Sequence, residues 1–305
     1  MNEDNGSKEK KDKKFSILHL PSLLWETGKQ WLADDPFRQA AVVAYYAVIS
    51  LPALIVIIIN LVGWIWGYEI VQGHLTDQFS AALGRDSAKA IETMITETKQ
   101  SDKRFLASIF GIGTLIFGAT GVFFQIKISL NNIWKIEPKP NAPILKVALD
   151  RLLSFAFIII IGFLLLVSFV LTAAINLINE FISSKLPEFL VFLAYALDVI
   201  LSLGIVALLF ALMFKFLPDA KVKWKTVWVG SIITSILFVS GEYLLGFYFG
   251  QADPASTYGA AGIVILILLW VSYSSMIVFF GAEFTYVFAK SYESGIEPTS
   301  IAIKK

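Results

Sequence analysis

Cysteine is absent from this sequence of 305 residues, and charged residues are scarce at 16%. Without cysteine the chain forms no disulfide and offers no thiolate for catalysis or metal binding. The nucleotide-binding, serine-hydrolase and zinc-protease sequence patterns are also missing. The formal net charge of +1 gives no global field that would attract nucleic acid. We therefore expect no enzyme activity, no cofactor, no metal site and no nucleic-acid partner.

Apolar residues are abundant, since 56% of the chain is hydrophobic and the mean hydropathy is +0.70. The hydrocarbon core of a bilayer is about 30 Å thick, so roughly 20 apolar residues in a helix span it. Six stretches qualify: residues 40–66, 105–125, 152–178, 189–214, 227–249 and 260–288. The sequence predicts an all-α, polytopic membrane protein with six transmembrane helices.

The loops between these spans differ in positive charge. Of the 25 lysines and arginines, 19 fall on the side that holds both ends of the chain and 6 on the other side. The richer side faces the cytoplasm by the positive-inside rule. We therefore predict a multi-pass protein with both termini cytoplasmic, and His19 and His74 on opposite sides of the membrane.

The segments outside the spans support a single membrane domain. Residues 1–14 are a lysine-rich run predicted to be a disordered cytoplasmic tail, residues 15–289 form the domain, and residues 290–305 are a second cytoplasmic tail. Leu20, Leu23, Leu24 and Trp31 fall near one helical face, which predicts an N-terminal interfacial helix on the membrane or a helix packed on loops. The loop at residues 68–104 has the apolar spacing of two amphipathic helices.

Two carboxyl groups within the predicted spans carry the first functional hypothesis, because an ionisable group in hydrocarbon is costly. Asp198 and Glu242 are each predicted to lie roughly 12 to 14 Å below the outer surface. With Asn60, Trp270 and Tyr273 they form a candidate substrate or proton pocket among spans 1, 4, 5 and 6. The alternative is that each carboxyl separately hydrogen-bonds a neighbouring helix or reaches a water-filled crevice.

A second layer of polar residues is predicted near the cytoplasmic side. Glu283 lies about one and a half turns from the end of the sixth span, at a depth comparable to that of Tyr45 and Tyr46. Arg38 and Arg151 are at the same boundary, where an arginine could reach Glu283. We interpret these five residues as a structural ion pair or as a cytoplasmic gate.

Proline and glycine mark two further features of the spans. Pro52 removes a backbone donor from the first span and predicts a kink there. Gly111, Gly113, Gly118 and Gly121 in the second span indicate either close helix packing or an unwound, ligand-lining segment.

Several short motifs resemble those of the YihY/BrkB family of bacterial inner-membrane proteins, sometimes labelled ribonuclease BN-like. They include Ala44-Tyr45-Tyr46, Leu130-Asn131-Asn132-Ile133-Trp134, Phe216-Leu217-Pro218-Asp219, Tyr258-Gly259-Ala260-Ala261-Gly262, Leu268-Leu269-Trp270 and Gly281-Ala282-Glu283. The resemblance implies a six-helix protein of the bacterial cytoplasmic membrane, suspected of transport, and it supplies no catalytic residues. The stretch at residues 137–143 is short and proline-rich where the family leads us to expect a basic linker.

Two functions from different classes remain open. The first is a transporter that exports or flips an amphiphilic or lipid-like solute. Its expected partners are membrane lipids, and the sequence is compatible with a homo-oligomer. The second is a non-transporting scaffold that recruits partners at its cytoplasmic face. A ribonuclease activity has little support, because the sequence shows no acidic metal cluster and no long basic face.

Overall fold

A computed structural model describes residues 16–50, 104–139, 188–252 and 260–305, together with residues 152 and 156. We number its helices and strands in chain order. A 3-10 turn at Ile17–His19 leads into helix α1, Leu20–Ala33. Helix α2 covers residues 36–50, as far as the chain is described, and α3 is Arg104–Ile133. Helices α4, α5 and α6 are Glu188–Phe216, Trp224–Ala252 and Ala260–Tyr292.

Four short strands connect or follow the helices. They are β1, Ile136–Pro138; β2, Ala220–Lys221; β3, Glu297–Pro298; and β4, Ala302–Lys304. β1 pairs with β4 and β2 pairs with β3, both antiparallel. We call the layer formed by residues 134–139, 217–223 and 293–305 the base of the molecule. Residues 290–305 are therefore part of the fold, whereas the sequence had suggested only a tail.

Among the residues that the structure describes, three helices are long and apolar enough to cross a membrane, judged by length and composition. They contain Val199–Phe216, Trp224–Tyr248 and Val264–Tyr292, which match the last three predicted spans. The predicted span 105–125 lies within α3, which continues for eight residues beyond it, and the predicted spans 40–66 and 152–178 lie largely outside the described residues. The 33 residues of α6 extend about 50 Å at 1.5 Å per residue, well beyond the ~30 Å of a bilayer core.

Helices α5 and α6 pack antiparallel through a reciprocal pair of glycines and threonines. Thr234 lies against Gly281 and Thr285 lies against Gly230, so closely that a Cβ atom on either glycine would overlap the threonine. Each threonine hydroxyl donates a 2.7 Å hydrogen bond to the glycine carbonyl four residues before it in its own helix. Because small residues let two helix backbones approach, these four residues fix the α5–α6 contact.

Helices α2 and α3 also meet at small residues. A Cβ atom on Gly118 would overlap Ser50, and one on Gly121 would overlap the Tyr46 ring. Helix α3 is continuous through both glycines. At these two positions the structure shows close helix packing, not the unwound segment that was the alternative.

Helix α1 packs lengthwise along the second half of α6. Its Leu23 side chain joins a cluster with Phe284, Val287 and Phe288, and its Trp31 indole N–H donates a 3.2 Å hydrogen bond to the Met276 carbonyl. At the other end of α1, His19 Nδ1 is 2.7 Å from the Tyr292 hydroxyl. The helix is amphipathic as the sequence predicts, and its apolar face is covered by α6.

The main core lies between the base and the helix ends. Trp134, Phe214 and Phe279 are among its largest fully buried side chains, and the Trp134 and Phe214 rings meet edge to face at 6.4 Å. Ile136, Ile296 and Ala302 of the base belong to the same cluster. The strands of the base therefore close the apolar core at this end of the helices.

Candidate functional site

A buried ion pair lies at the base, between α3 and the segment after α4. The Lys127 ammonium is 3.1 Å from one Asp219 carboxylate oxygen, and both side chains are more than 90% buried. Asn131 donates a 3.1 Å hydrogen bond to the other carboxylate oxygen and accepts one of 2.8 Å from the Asp219 backbone N–H. A buried charge is tolerated when it is paired and hydrogen-bonded, as here. This network joins the ends of α3 and α4.

A second connection joins α3 to α6. The Trp134 indole N–H donates a 3.0 Å hydrogen bond to the Ala282 carbonyl, and the indole is fully buried. The next residue, Lys135, has a positive φ of 55° and ends the helix. One of the motifs that carry the family resemblance thus contacts two others: its Asn131 binds Asp219 of the second, and its Trp134 binds Ala282 of the third.

The turn between α1 and α2 is tied to the same place. The Lys135 ammonium is 2.6 and 2.7 Å from the two Asp34 carboxylate oxygens, and the Gln39 side-chain amide donates a 2.6 Å hydrogen bond to the Asp34 carbonyl. Pro36 opens α2 directly after Asp35, whose φ is 53°. A proline at the first position suits a helix start because its missing N–H would have no helical partner there.

Glu283 lies in α6 next to these connections, between Ala282 and Phe284. Its side chain is 0% exposed, and neither carboxyl oxygen has a hydrogen-bond partner among the residues that the structure describes. Polar groups buried to this degree are nearly always hydrogen-bonded in proteins. Glu283 is therefore the most unusual polar group in the described part of the fold.

The structure does not assemble the expected inner layer as one unit. Arg38 pairs with Asp35 at 2.8 Å and is largely exposed, so the ion pair between Arg38 and Glu283 is not formed. The two members of the observed pair are three positions apart, and this local partner competes with a distant one. Tyr45 is exposed, whereas Tyr46 packs on Gly121 and Phe117. Arg151 lies outside the described residues.

Three members of the expected outer pocket lie near one another on α5 and α6. The Trp270 ring meets Phe238 at 6.0 Å, and the Tyr273 ring lies against the Gly241 backbone, where a Cβ atom would overlap it. Glu242 follows Gly241 directly, but its side chain is exposed. Asp198 lies in α4, and its side chain is not among those described. Asn60 and Pro52 lie outside the described residues, so the predicted kink stays a prediction.

The Lys127, Asn131 and Asp219 network was not anticipated from the sequence. Lys127 lies two residues after the end of a predicted span and was assigned to a loop, and Asn131 and Asp219 are 88 positions apart in the sequence, so no local pattern reveals their contact. One signal was present. Lys127 and Asn131 are four residues apart, which places them on one face of any helix that continued past residue 125. The described residues contain no group of three histidine, aspartate or glutamate residues that could hold a metal ion.

The fold and these contacts define a helical membrane protein whose polar cross-links gather at one end. The sequence matches the family model described as Virulence factor BrkB over residues 27–302, so the chain belongs to this family. No solved structure matches the chain.

Relatives among curated proteins are described as UPF0761 membrane proteins. One from Legionella pneumophila is 26% identical over 74% of this chain and 50% of its own length. One from Methylibium petroleiphilum is 28% identical, with 69% and 49% covered. A protein from Psychromonas ingrahamii is 24% identical, with 86% and 85% covered. The chain spans about half the length of the first two relatives, and it is a membrane protein like them.

Proposed function

We propose that this protein is a transporter of the bacterial cytoplasmic membrane that exports or flips an amphiphilic or lipid-like solute, without an enzymatic activity of its own. The proposal rests on the exposed carboxyl group of Glu242. This residue lies in α5, a helix long and apolar enough to cross a membrane. A charged group facing hydrocarbon costs roughly 2.5 to 3.5 kcal/mol on insertion scales, so it is retained where it reaches water or a polar ligand.

The surface around Glu242 supports an amphiphilic ligand. Tyr243, Leu244, Phe247 and Tyr248 are all more than half exposed on the same stretch of α5. The apolar part of an amphiphile would contact these side chains. Its polar part would be attracted to the Glu242 carboxyl group if that part is cationic or a hydrogen-bond donor. Asp198 remains the proposed second carboxyl group of this site, with Asn60 as a polar neighbour.

Charge at the base supports the orientation. The described residues near the base include the following lysines, several of them exposed: Lys135, Lys139, Lys215, Lys221, Lys223, Lys225, Lys290, Lys304 and Lys305. The positive-inside rule then directs the base towards the cytoplasm, with Glu242 nearer the opposite side. In this orientation Trp224 and Trp228, both exposed near the start of α5, would anchor at the inner interface.

A scaffold at the cytoplasmic face is the second candidate. It is favoured by the base itself, because strands β1 to β4 form a folded surface with exposed Lys221 and Lys223 on one side. A scaffold needs the base and not Glu242. The two functions therefore differ in which half of the molecule must be intact.

Reconstitution tests the transporter proposal directly. Vesicles holding the purified protein and a fluorescent phospholipid are treated with dithionite, which bleaches only the outer leaflet, and the bleached fraction reports lipid movement. We expect wild type to raise the bleached fraction above one half, and Glu242→Gln and Asp198→Asn to reduce the rate at least tenfold. Glu297→Gln, an exposed carboxyl group of the base, is the matched control. Wild type that moves neither this lipid nor cationic amphiphiles would contradict the proposal.

A further inference from the structure

Four buried oxygens, in three residues of α1, α2 and α6, have no hydrogen-bond partners among the described residues. They are the Thr27 hydroxyl, the Gln39 side-chain carbonyl and the Glu283 carboxyl group, and these residues are 0%, 8% and 0% exposed. The Gln39 amide is oriented by its N–H, which donates to the Asp34 carbonyl and leaves the oxygen free. Leaving such groups unsatisfied costs roughly 1 to 3 kcal/mol each.

Contacts on either side place Thr27 over the part of α6 that holds Glu283. Thr27 lies on the face of α1 between Leu23 and Trp31, at four-residue spacing. Leu23 packs in the cluster with Phe284 and Phe288, and the Trp31 ring meets Phe280 at 5.9 Å. Thr27 is therefore bracketed by contacts that reach α6 on both sides of Glu283.

The charged groups connect Glu283 to the α1–α2 turn as well. Asp34, at that turn, acts electrostatically on Glu283, as do Lys135, Lys290 and Glu26. Two of these four groups are positive and two are negative, and the effect of Asp34 is the largest of the four. Because Lys135 is already bound to both Asp34 oxygens, an ionised Glu283 would have no dedicated counter-ion within the described structure.

Neither protonation state of Glu283 is satisfied by the described protein groups. An ionised carboxylate needs donors, and a protonated one needs an acceptor for its O–H, and no atom within hydrogen-bonding distance supplies either. A bound cation would satisfy the carboxylate without a hydrogen-bond donor. The oxygen ligands of a cation surround the ion and lie farther from one another than hydrogen-bonded atoms do. Hard cations without transition-metal chemistry take carboxylate, carbonyl and hydroxyl oxygens, which are the groups present here.

We propose that Glu283, Thr27 and Gln39 bind one monovalent alkali cation at the junction of α1, α2 and α6. The single carboxylate matches a single positive charge, whereas Ca²⁺ and Mg²⁺ sites use more carboxylates or several waters. The site joins the α1–α2 turn to α6 near the Trp134 contact with Ala282. It does not depend on the proposed transport activity.

Thermal unfolding tests the site in the intact protein. The purified chain is heated in detergent at fixed pH and ionic strength, with choline chloride replaced stepwise by lithium, sodium or potassium chloride, and tryptophan fluorescence reports the midpoint temperature. Because a ligand that binds only the folded state stabilises it, we expect a saturable rise of the midpoint with at least one alkali ion and none with choline.

Variants separate this site from general salt effects. Glu283→Gln removes the charge with little change of shape and is expected to abolish the saturable rise, whereas Glu242→Gln and Glu297→Gln keep it. Thr27→Val keeps the shape of the side chain and removes one oxygen ligand. We expect the half-saturating concentration of the alkali ion to rise about tenfold or more. Loss of a residue that only hydrogen-bonds a metal ligand already weakens metal binding by about 10- to 100-fold.

Three outcomes would overturn the proposal. Equal midpoints of wild type in all four salts would show that no alkali ion binds. A midpoint that rises on acidification and ignores the cation would assign a proton to Glu283. A saturable rise that survives in Glu283→Gln would place the ion elsewhere. Should Glu283→Gln fail to fold, an unchanged half-saturating concentration in Thr27→Val would decide against the site.

Discussion

The base and the exposed stretch of α5 around Glu242 use charge in opposite ways. At the base, Lys127 and Asp219 are both more than 90% buried and are matched to each other and to Asn131. On α5, Glu242 is exposed beside Tyr243 and Phe247, and the only other charged residue of this helix is Lys225 at its start. A matched buried charge constrains the fold, whereas an exposed charge on a membrane helix remains available to a ligand. We therefore expect stability to depend on the base and transport to depend on the α5 surface.

The largest effect is expected from Asp219→Ala. This variant leaves Lys127 buried without its carboxylate, and breaking a buried pair typically costs about 3 to 5 kcal/mol of unfolding free energy. Equilibrium unfolding in detergent with increasing denaturant measures the change.

Two controls show whether the pairing causes that loss. In Lys127→Met with Asp219→Ala no charge is stranded, so more than half of the lost stability should return. Arg38→Ala breaks the exposed pair with Asp35 and should cost no more than about 1 kcal/mol. A double variant as unstable as Asp219→Ala alone would show that the buried pair is not what holds the base.

Gly281→Ala is expected to have the second-largest effect, because its Cβ atom would overlap Thr234. Overpacking of this kind costs about 1 to 3 kcal/mol. Gly204→Ala in α4 is the matched control, since nothing lies within 4 Å of its added Cβ, and it should be neutral or up to about 1 kcal/mol more stable. Equal losses in both variants would argue against a close α5–α6 contact. Thermal unfolding of the two proteins side by side measures the difference.

Trp134→Phe is expected to cost about 1 kcal/mol, the typical net contribution of one hydrogen bond. The variant removes the N–H that binds the Ala282 carbonyl and leaves most of the buried ring area in place. Trp228→Phe, at an exposed tryptophan of α5, should change the unfolding free energy less than half as much. If the two variants were equally stable, the Trp134 contact would not contribute to holding α3 on α6. Chemical denaturation followed by circular dichroism provides the measurement.

The smallest effect on stability is expected at Glu242. Glu242→Gln changes an exposed side chain and should shift the unfolding free energy by no more than about 0.5 kcal/mol, the usual range for surface positions. The same variant should reduce lipid movement in vesicles. A large loss of stability would mean that Glu242 belongs to the structural part of the molecule, and the division between the two regions would fail.

Helix type and approximate position follow from the sequence alone, because hydropathy over about 20 residues is a local property. The predicted spans at 189–214, 227–249 and 260–288 lie within α4, α5 and α6, each of which extends up to four residues further at an end. Helix α3 extends eight residues past its predicted end. This extension contains Lys127, whose charge is neutralised by Asp219 after the end of α4. Such a partner is invisible to a local pattern.

The base and the candidate site were harder to predict for the same reason. Strands of two or three residues, such as β2 and β3, carry no periodicity, and their pairing joins residues 220–221 to residues 297–298. The sequence identified Glu283 as unusual from its position in a span, and it offered Arg38 and Arg151 as candidate partners. Arg38 instead pairs with Asp35, three residues away. The burial of Glu283 could be predicted from the sequence. That its carboxyl group has no hydrogen-bond partner within the described residues could be seen only in the structure.

The reciprocal contacts of Thr234 with Gly281 and of Thr285 with Gly230 limit how this protein can move. Sliding α5 by one helical turn along α6 would bring Thr234 opposite either Ile277 or Thr285, where a side chain stands in place of a glycine. The register is therefore locked in both directions. Under the proposed transport function, a change between inward- and outward-facing states would carry α5 and α6 together as one rigid unit, with the displacement taken up at their contacts with other helices.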